Sequence, residues 1–139
     1  MKSNRITLVT LAADDVAALA GFYARLGWVA SATMDITVFF DLSGMKFGIY
    51  DKASLARDLG RDPATLGAGA MTLAQNFPDR AAVDTAYAAA LAAGATVCKP
   101  PEAVFWGGYS GTWADPEGHV WEYAHNPFWT LDNDGFIAP

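Results

Sequence analysis

Trp113-Ala-Asp-Pro-Glu-Gly-His-Val-Trp-Glu-Tyr-Ala-His125 is the stretch that decides the fold, because it has the pattern of a strand end, a tight turn and a second strand. Asp115-Pro116-Glu117-Gly118 fits a type I turn, in which Asp favours the first position, Pro presets φ at the second and Gly closes the turn. Beyond the turn, side chains alternate between the two faces of a strand, so Trp121 and Tyr123 share one face and Glu122 takes the other. The stretch therefore predicts a strand with a single carboxylate in its middle.

The sequence before this stretch completes a β-α-β-β-β pattern. Ala70–Asn76 has the composition of a strand, Pro78-Asp79 begins an amphipathic helix, and Gly94 stands where that helix ends. The last three strands are predicted over Ala95–Lys99, the Phe105–Trp113 region and His119–Ala124.

The first half of the chain repeats the same order of elements. Arg5–Ala13 is predicted to be a strand, Asp15 caps a helix that ends at Gly27, and three further strands follow. Those strands are predicted over Trp28–Ala32, Ile36–Leu42 and Lys46–Tyr50. The gap between helix and last strand is longer in the second copy, which places an insertion in Lys99–Gly111. The repeat is one of pattern rather than of residue identity.

The repeat predicts an α+β fold of two βαβββ modules within a single domain. The modules are expected over residues 4–52 and 68–126, with a connector at 53–67 and a tail at 127–139. Each sheet has one face covered by its helix and one face left bare, so the two modules are expected to form a cupped mixed β-sheet around a cavity. The tail is apolar, which favours packing over a sheet edge or against a second subunit and hence a homodimer.

Composition excludes several classes of protein. Apolar residues make up 53% and charged residues 17% of the 139 residues, which is typical of a globular chain. The net charge is −6, and the basic residues form no run, which argues against a nucleic-acid partner. The single cysteine, Cys98, rules out an intrachain disulfide and a multi-thiolate metal site. No apolar run approaches the ~20 residues of a membrane span, so a soluble, cytoplasmic protein is expected.

Several segments together resemble the vicinal oxygen chelate superfamily, which includes glyoxalase I, bleomycin-resistance proteins and extradiol dioxygenases. The residues that carry the resemblance are Ile6–Thr10, Asp15 with Phe22–Gly27, Ala93–Thr96, Trp106–Ser110 and Asp115–Tyr123. The resemblance implies paired βαβββ modules and commonly a homodimer. Its metal-dependent members hold a divalent ion with four ligands, taken from the first and last strands of each module.

Those four ligand positions, carried over by the resemblance, fall on Leu8, Gly48, either Ala70 or Thr72, and Glu122. Only Glu122 is a usual metal ligand, and a divalent ion needs several nitrogen or oxygen donors. We therefore expect no metal and no other cofactor. His119 and His125 are too far apart along a strand to share an ion, and the expected role of both is in packing or at a subunit interface.

The expected site is a cavity in which Glu122 acts either as a general base or as a polar contact for a ligand. The residues expected to line the cavity are Leu8, Thr10, Gly48, Tyr50, Asn76, Trp113 and Glu122. Trp106 and Tyr109 add aromatic side chains that suit a flat ligand, although filling the core is an equally good interpretation. The predicted function is the binding of a small organic molecule without metal. The alternative is a metal-dependent lyase, isomerase or dioxygenase.

Overall fold

The computed structural model describes residues 1–139 and divides them into two compact units, Met1–Gly67 and Ala68–Pro139. Each unit contains a four-stranded mixed sheet with a helix packed on it, in the order β-α-β-β-β. The predicted α+β class and the two similar modules are confirmed. No helix in the structure is both long enough and apolar enough to cross a membrane.

The first unit opens with five elements in the predicted order. They are β1 (Leu8–Ala13), α1 (Val16–Arg25), β2 (Ala30–Met34), β3 (Thr37–Leu42) and β4 (Met45–Asp51). The strand order in the sheet is β1-β4-β3-β2, and β1 is parallel to β4 while the other pairs are antiparallel. The first and last strands of the module therefore lie side by side.

Local sequence sets the bounds of α1. The Asp15 carboxylate accepts a hydrogen bond from the Ala18 backbone amide at 3.0 Å, as expected of an N-cap. Gly27 follows the last turn with φ of 93°, a conformation that glycine adopts without steric cost. Leu19, Phe22 and Tyr23 of the helix are fully buried against the sheet.

One face of this first sheet forms the core with α1. The sheet side of this core is made of Leu11, Ala13, Val38, Phe40, Phe47 and Ile49, all buried. The Tyr23 ring packs edge-on against Phe47 at 5.2 Å between centroids, which joins helix to sheet. Strand alternation leaves the other face of this sheet, which we call the bare face, without a helix over it.

The predicted connector belongs to the first unit. It contains α2 (Lys52–Leu59) and a single 3-10 turn (Pro63–Thr65). Asp51 caps α2 by accepting hydrogen bonds from the Ser54 amide at 2.9 Å and the Ser54 hydroxyl at 2.7 Å. Gly60 ends the helix with φ of 66°. The segment is thus an ordered part of the first module and carries side chains of the site described below.

The second unit repeats the arrangement of the first. Its elements are β5 (Thr72–Asn76), α3 (Arg80–Ala93), β6 (Thr96–Ala103), β7 (Tyr109–Ala114) and β8 (Val120–His125). The strand order is β5-β8-β7-β6, with β5 parallel to β8. Asp79 caps α3 and Gly94 ends it, as predicted.

The turn that decides the fold forms as predicted. Gly118 donates its amide to the Asp115 carbonyl at 2.9 Å, and φ at Gly118 is 89°. The Asp115 carboxylate accepts from the amides of Glu117 and His119 at 2.9 and 3.0 Å. These bonds fix the register in which β8 pairs with β7.

The insertion takes a different form from the one predicted. Residues 105–108 were expected to be strand, but Val104 and Gly108 pair across a turn and β7 begins only at Tyr109. The extra length goes into β6, which runs to Ala103 as an edge strand, a position that tolerates Pro100 and Pro101. Gly111 is required opposite this strand, because a Cβ there would lie 2.7 Å from the Pro101 backbone nitrogen.

The tail folds into a small turn of its own. Leu131 pairs with Ile137, and the Asp132 carboxylate accepts from the amides of Asp134 and Phe136 at 2.9 Å each. Phe128 and Trp129 remain 74% and 52% exposed.

Candidate functional site

The bare face of the first sheet carries a concavity of about 370 Å³. It lies over β1, β3 and β4, and α2 closes one side of it. The residues that line it are Leu8, Thr10, Ile36, Thr37, Phe39, Tyr50, Leu55 and Asp58. A volume of this size, with apolar walls and a few polar groups, is typical of a small-molecule site.

Gly48, which was expected to line a cavity, lies on the same face next to Leu8 and Phe39 but is not among the residues that line this concavity. It pairs with both Thr10 and Phe39, so all three face the same side of the sheet. A Cβ at Gly48 would lie 3.1 Å from Phe39 Cε1 and 3.5 Å from Leu8 Cδ1. Because Gly48 has no side chain, the Phe39 ring can pack directly against the backbone of β4.

Three of the four polar lining residues, Thr37, Tyr50 and Asp58, lie together at one edge of the concavity. The Tyr50 hydroxyl donates a hydrogen bond to Asp58 Oδ2 at 2.9 Å, which joins β4 to the last turn of α2. This bond to a carboxylate raises the pKa of Tyr50, because it favours the protonated phenol. Thr37, the register partner of Tyr50, donates its hydroxyl to the Ile49 carbonyl at 3.0 Å.

Glu122 lies on the bare face of the second sheet. Its register partners are Ala74 on β5 and Thr112 on β7, so these side chains form a row across the sheet. Asn76 shares that face, because it pairs with Ala124, two residues beyond Glu122. Glu122 is half-buried and makes no hydrogen bond or ion pair within its unit.

Trp113 lies on the opposite face, so the prediction that it lines a cavity with Glu122 is wrong. It pairs with Trp121, is fully buried, and stacks on that ring at 5.7 Å between centroids. It also packs edge-on against Tyr123 at 5.3 Å, and burial raises the pKa of Tyr123 to about 12. The antiparallel pairing of β7 with β8 places Trp113 opposite Trp121, on the face covered by α3. This position follows from the register of the two strands, which the sequence does not reveal.

Tyr109 shares the face of Trp113, as the alternation predicts, but that face is the one covered by α3. Its hydroxyl donates to Asp84 on α3 at 2.6 Å, and Arg80 lies 5.3 Å above its ring. Hydrogen bonding to Asp84 raises the pKa of Tyr109. The tyrosine thus ties the helix to β7, and the role expected for it in ligand binding has no support from this position.

Trp106 lies on the turn between β6 and β7, not on a strand as expected. Its ring lies against the Gly108 backbone so closely that a Cβ there would fall 2.0 Å from the ring. It remains 41% exposed. The glycines of this segment do let an aromatic ring approach the backbone, but that ring is the Trp106 side chain and not a ligand.

The sequence of the chain matches a known family over most of its length. The family model of the Glyoxalase/Bleomycin resistance protein/Dioxygenase superfamily matches residues 5–123. The chain belongs to this superfamily. A search of curated proteins finds no match.

Solved structures of superfamily proteins are similar over nearly the whole chain. A glyoxalase-related enzyme from Fulvimarina pelagi is 29% identical, with 98% of each chain covered and a TM-score of 0.89. A glyoxalase/bleomycin resistance protein/dioxygenase from Nocardioides is 25% identical over 90% of this chain and 85% of that one, with a TM-score of 0.73. Lactoylglutathione lyase from Agrobacterium tumefaciens, 23% identical, covers 94% of this chain and 100% of its own, with a TM-score of 0.71, and shares the fold.

The four ligand positions of metal-dependent superfamily members do not fit a metal here. The structure resolves the uncertain register in favour of Thr72, which lies on the same face as Glu122, whereas Ala70 precedes the strand. Leu8 and Gly48 offer no donor atom. No group of three or more His, Cys, Asp or Glu side chains is placed to hold a metal ion. His125 instead bonds through Nδ1 to the Phe77 carbonyl at 3.0 Å.

Leu8, Thr10 and Tyr50, which the sequence proposed as cavity residues, line the concavity, but sequence reasoning missed five of its eight lining residues. Phe39 was detectable, since alternation places it opposite the core residues Val38 and Phe40. Asp58 and Leu55 were assigned to a connector, and no local signal shows that α2 borders the bare face.

Proposed function

We propose that this superfamily member binds a small organic molecule on the bare face of its first module, without a metal ion. The observation that carries the proposal is the concavity of about 370 Å³ between that face and α2. Its walls are mostly aliphatic and aromatic, and three of its four polar lining residues lie at one edge, which suits a ligand with an apolar body and one polar group. Leu8 forms part of the wall and Gly48 leaves room for the Phe39 ring, and neither acts as a metal ligand.

Glu122 is proposed as a further polar contact for a ligand on the bare face of the second module. It is half-buried among Ala74, Val120 and Ala124 and has no partner within its unit, so a donor on a ligand could satisfy it. The predictions that Glu122 is a general base, and that one cavity lies between the modules, stay predictions.

The test uses neutral aromatic probes and two-dimensional NMR of the isotopically labelled chain. Tryptophol and 2-phenylethanol are titrated into the protein, and the shifted amides are mapped. We expect the shifts to centre on Thr10, Phe39, Tyr50 and Leu55, and the affinities to stay unchanged in EDTA. Shifts elsewhere, or none, would overturn the proposed site.

Metal dependence is tested on the same samples. Metal analysis of protein purified without chelator is expected to find no stoichiometric divalent ion, and EDTA is expected to leave the melting temperature unchanged. A stoichiometric ion whose removal lowers the melting temperature or abolishes probe binding would favour the metal-dependent enzyme instead.

A further inference from the structure

The polar edge of the concavity consists almost entirely of hydrogen-bond acceptors. The one proton of the Tyr50 hydroxyl is already donated to Asp58, so its oxygen can only accept from a ligand. Thr37 donates its hydroxyl proton to the Ile49 carbonyl, so its oxygen can likewise only accept a hydrogen bond from a ligand. A phenol keeps its proton at neutral pH, and the hydrogen bond to Asp58 raises the pKa of Tyr50 further.

Asp58 adds a charge to these acceptors. Its Oδ2 accepts from Tyr50, while its Oδ1 makes no hydrogen bond within the chain. A carboxylate has room for further donors on both oxygens. Thr10 is the only polar lining residue that remains able to donate, and it can equally accept.

No basic side chain lines the concavity to neutralise Asp58. Arg57, its neighbour in the helix, points its guanidinium to the Ser54 hydroxyl at 3.2 Å. Lys46 and Lys52 form ion pairs with Asp41 and Asp14 respectively. The charge of Arg57 still reaches Tyr50, but its effect there is smaller than that of Asp58, and Asp51 adds to the effect of Asp58. The net charge at the edge of the concavity is therefore negative.

The walls suit the body of a cationic ligand. Phe39 and Tyr50 present aromatic rings, and Leu8, Ile36 and Leu55 add aliphatic surface. An ammonium group beside aromatic rings gains from the ring quadrupole in addition to any carboxylate contact.

We propose that the concavity binds an organic amine, with its ammonium group at Asp58, Tyr50 and Thr37 and its apolar body against Phe39 and Leu55. A primary ammonium has three donors and no acceptor, which complements an edge of acceptors. A carboxylate or phosphate ligand would meet repulsion at Asp58 and find no fixed donor. This inference rests on the proposed function and names the ligand class of that same site.

The test compares three head groups on a common ring. Tryptamine, tryptophol and indole-3-acetate present an ammonium, a hydroxyl and a carboxylate on an indole, and their dissociation constants are measured by NMR titration. We expect tryptamine to bind at least tenfold more tightly than tryptophol, and indole-3-acetate to bind more weakly than either. Higher salt should weaken tryptamine alone, because Asp58 is exposed and its field is screened.

Asp58→Asn removes the charge and keeps the shape. It should weaken tryptamine about tenfold and leave tryptophol unchanged, and its melting temperature confirms that the fold is intact. Asp41→Asn is the matched control, because it removes the same charge from the bare face outside the concavity. That control should leave tryptamine affinity within about twofold.

The outcomes separate the two proposals. Equal binding of tryptamine and tryptophol, no effect of Asp58→Asn, or preference for indole-3-acetate would overturn the amine inference and leave small-molecule binding intact. Failure of all three probes to shift residues of the concavity would overturn both.

Discussion

At the scale of single residues, the face of the sheet on which a side chain lies decides its role. Trp113 and Glu122 lie on β7 and β8, two neighbouring strands joined by a tight turn. Trp113 is fully buried under α3, whereas Glu122 lies on the bare face of the second sheet. Tyr87 of α3 also contributes to the helix-covered face, because its hydroxyl donates a hydrogen bond to the Thr112 carbonyl on β7 at 2.9 Å. Burial raises the pKa of Tyr87. Residues of the helix-covered face therefore stabilise, and residues of the bare face are available to a ligand.

Trp113→Ala tests this division. Truncation of a fully buried tryptophan should lower the free energy of unfolding by about 3–5 kcal/mol, since it leaves a cavity beside Trp121 and Tyr123. Glu122→Gln on the opposite face is the control and should change it by less than about 0.5 kcal/mol. Urea denaturation measures both, and a loss of similar size in the two variants would contradict the assignment of faces.

At the scale of elements, α2 is both a capped helix of the first module and one side of its concavity. The helix begins at the Asp51 cap, directly after β4, and brings Leu55 and Asp58 to the edge of the bare face. Hydrogen bonds from the Ser54 hydroxyl and amide lower the pKa of Asp51, because they favour its ionised form. The cap and the site thus depend on the same short helix.

Asp51→Asn makes the pH dependence of this cap measurable. Because the pKa of Asp51 is lower in the folded than in the unfolded chain, its stabilising contribution is present above the unfolded value and is lost as pH falls through the folded value. Asparagine also caps helices but does not titrate in this range. The wild type should melt at a higher temperature than the variant near neutral pH, and the difference should shrink as pH falls below the unfolded pKa of about 3.9. A difference that is constant with pH would contradict the role of the ionised cap.

At the scale of the whole molecule, the second unit exposes an aromatic surface made of Trp106, Phe128, Trp129 and Phe136. Their exposed fractions range from 41% for Trp106 to 74% for Phe128. The Phe128 ring lies 3.7 Å from the position of a Cβ on Gly107, so the tail packs on the turn that carries Trp106. Exposed apolar side chains gathered in one unit in this way favour association, and a homodimer stays our prediction.

Light scattering coupled to size-exclusion chromatography tests the dimer. We expect a mass of twice 14.8 kDa at micromolar concentration, and half of that for Phe128→Ser combined with Trp129→Ser. Val29→Ser is the control, because Val29 is 84% exposed but lies in the other unit, outside this surface. A monomeric wild type would refute the prediction.

Much of the architecture follows from local signals in the sequence. Asp15 and Asp79 mark helix starts, Gly27 and Gly94 mark helix ends, and the Asp115 turn marks the last hairpin, because each acts through hydrogen bonds or φ values within a few residues. Alternation placed Leu8 with Thr10 on one face of β1, and Gly48 with Tyr50 on one face of β4, for the same reason. These features required no knowledge of what lies across the sheet.

Tertiary structure alone decided the rest. The pairing of β7 with β8 assigned Trp113 and Tyr109 to the helix-covered face, since one residue of register reverses every side chain in a strand. The packing of α2 beside the bare face made Asp58 part of a site, and the bonds of Tyr50 and Thr37 left that site with acceptors. Sequence spacing carries no signal for such contacts, because they join residues whose distance in space is set by the fold.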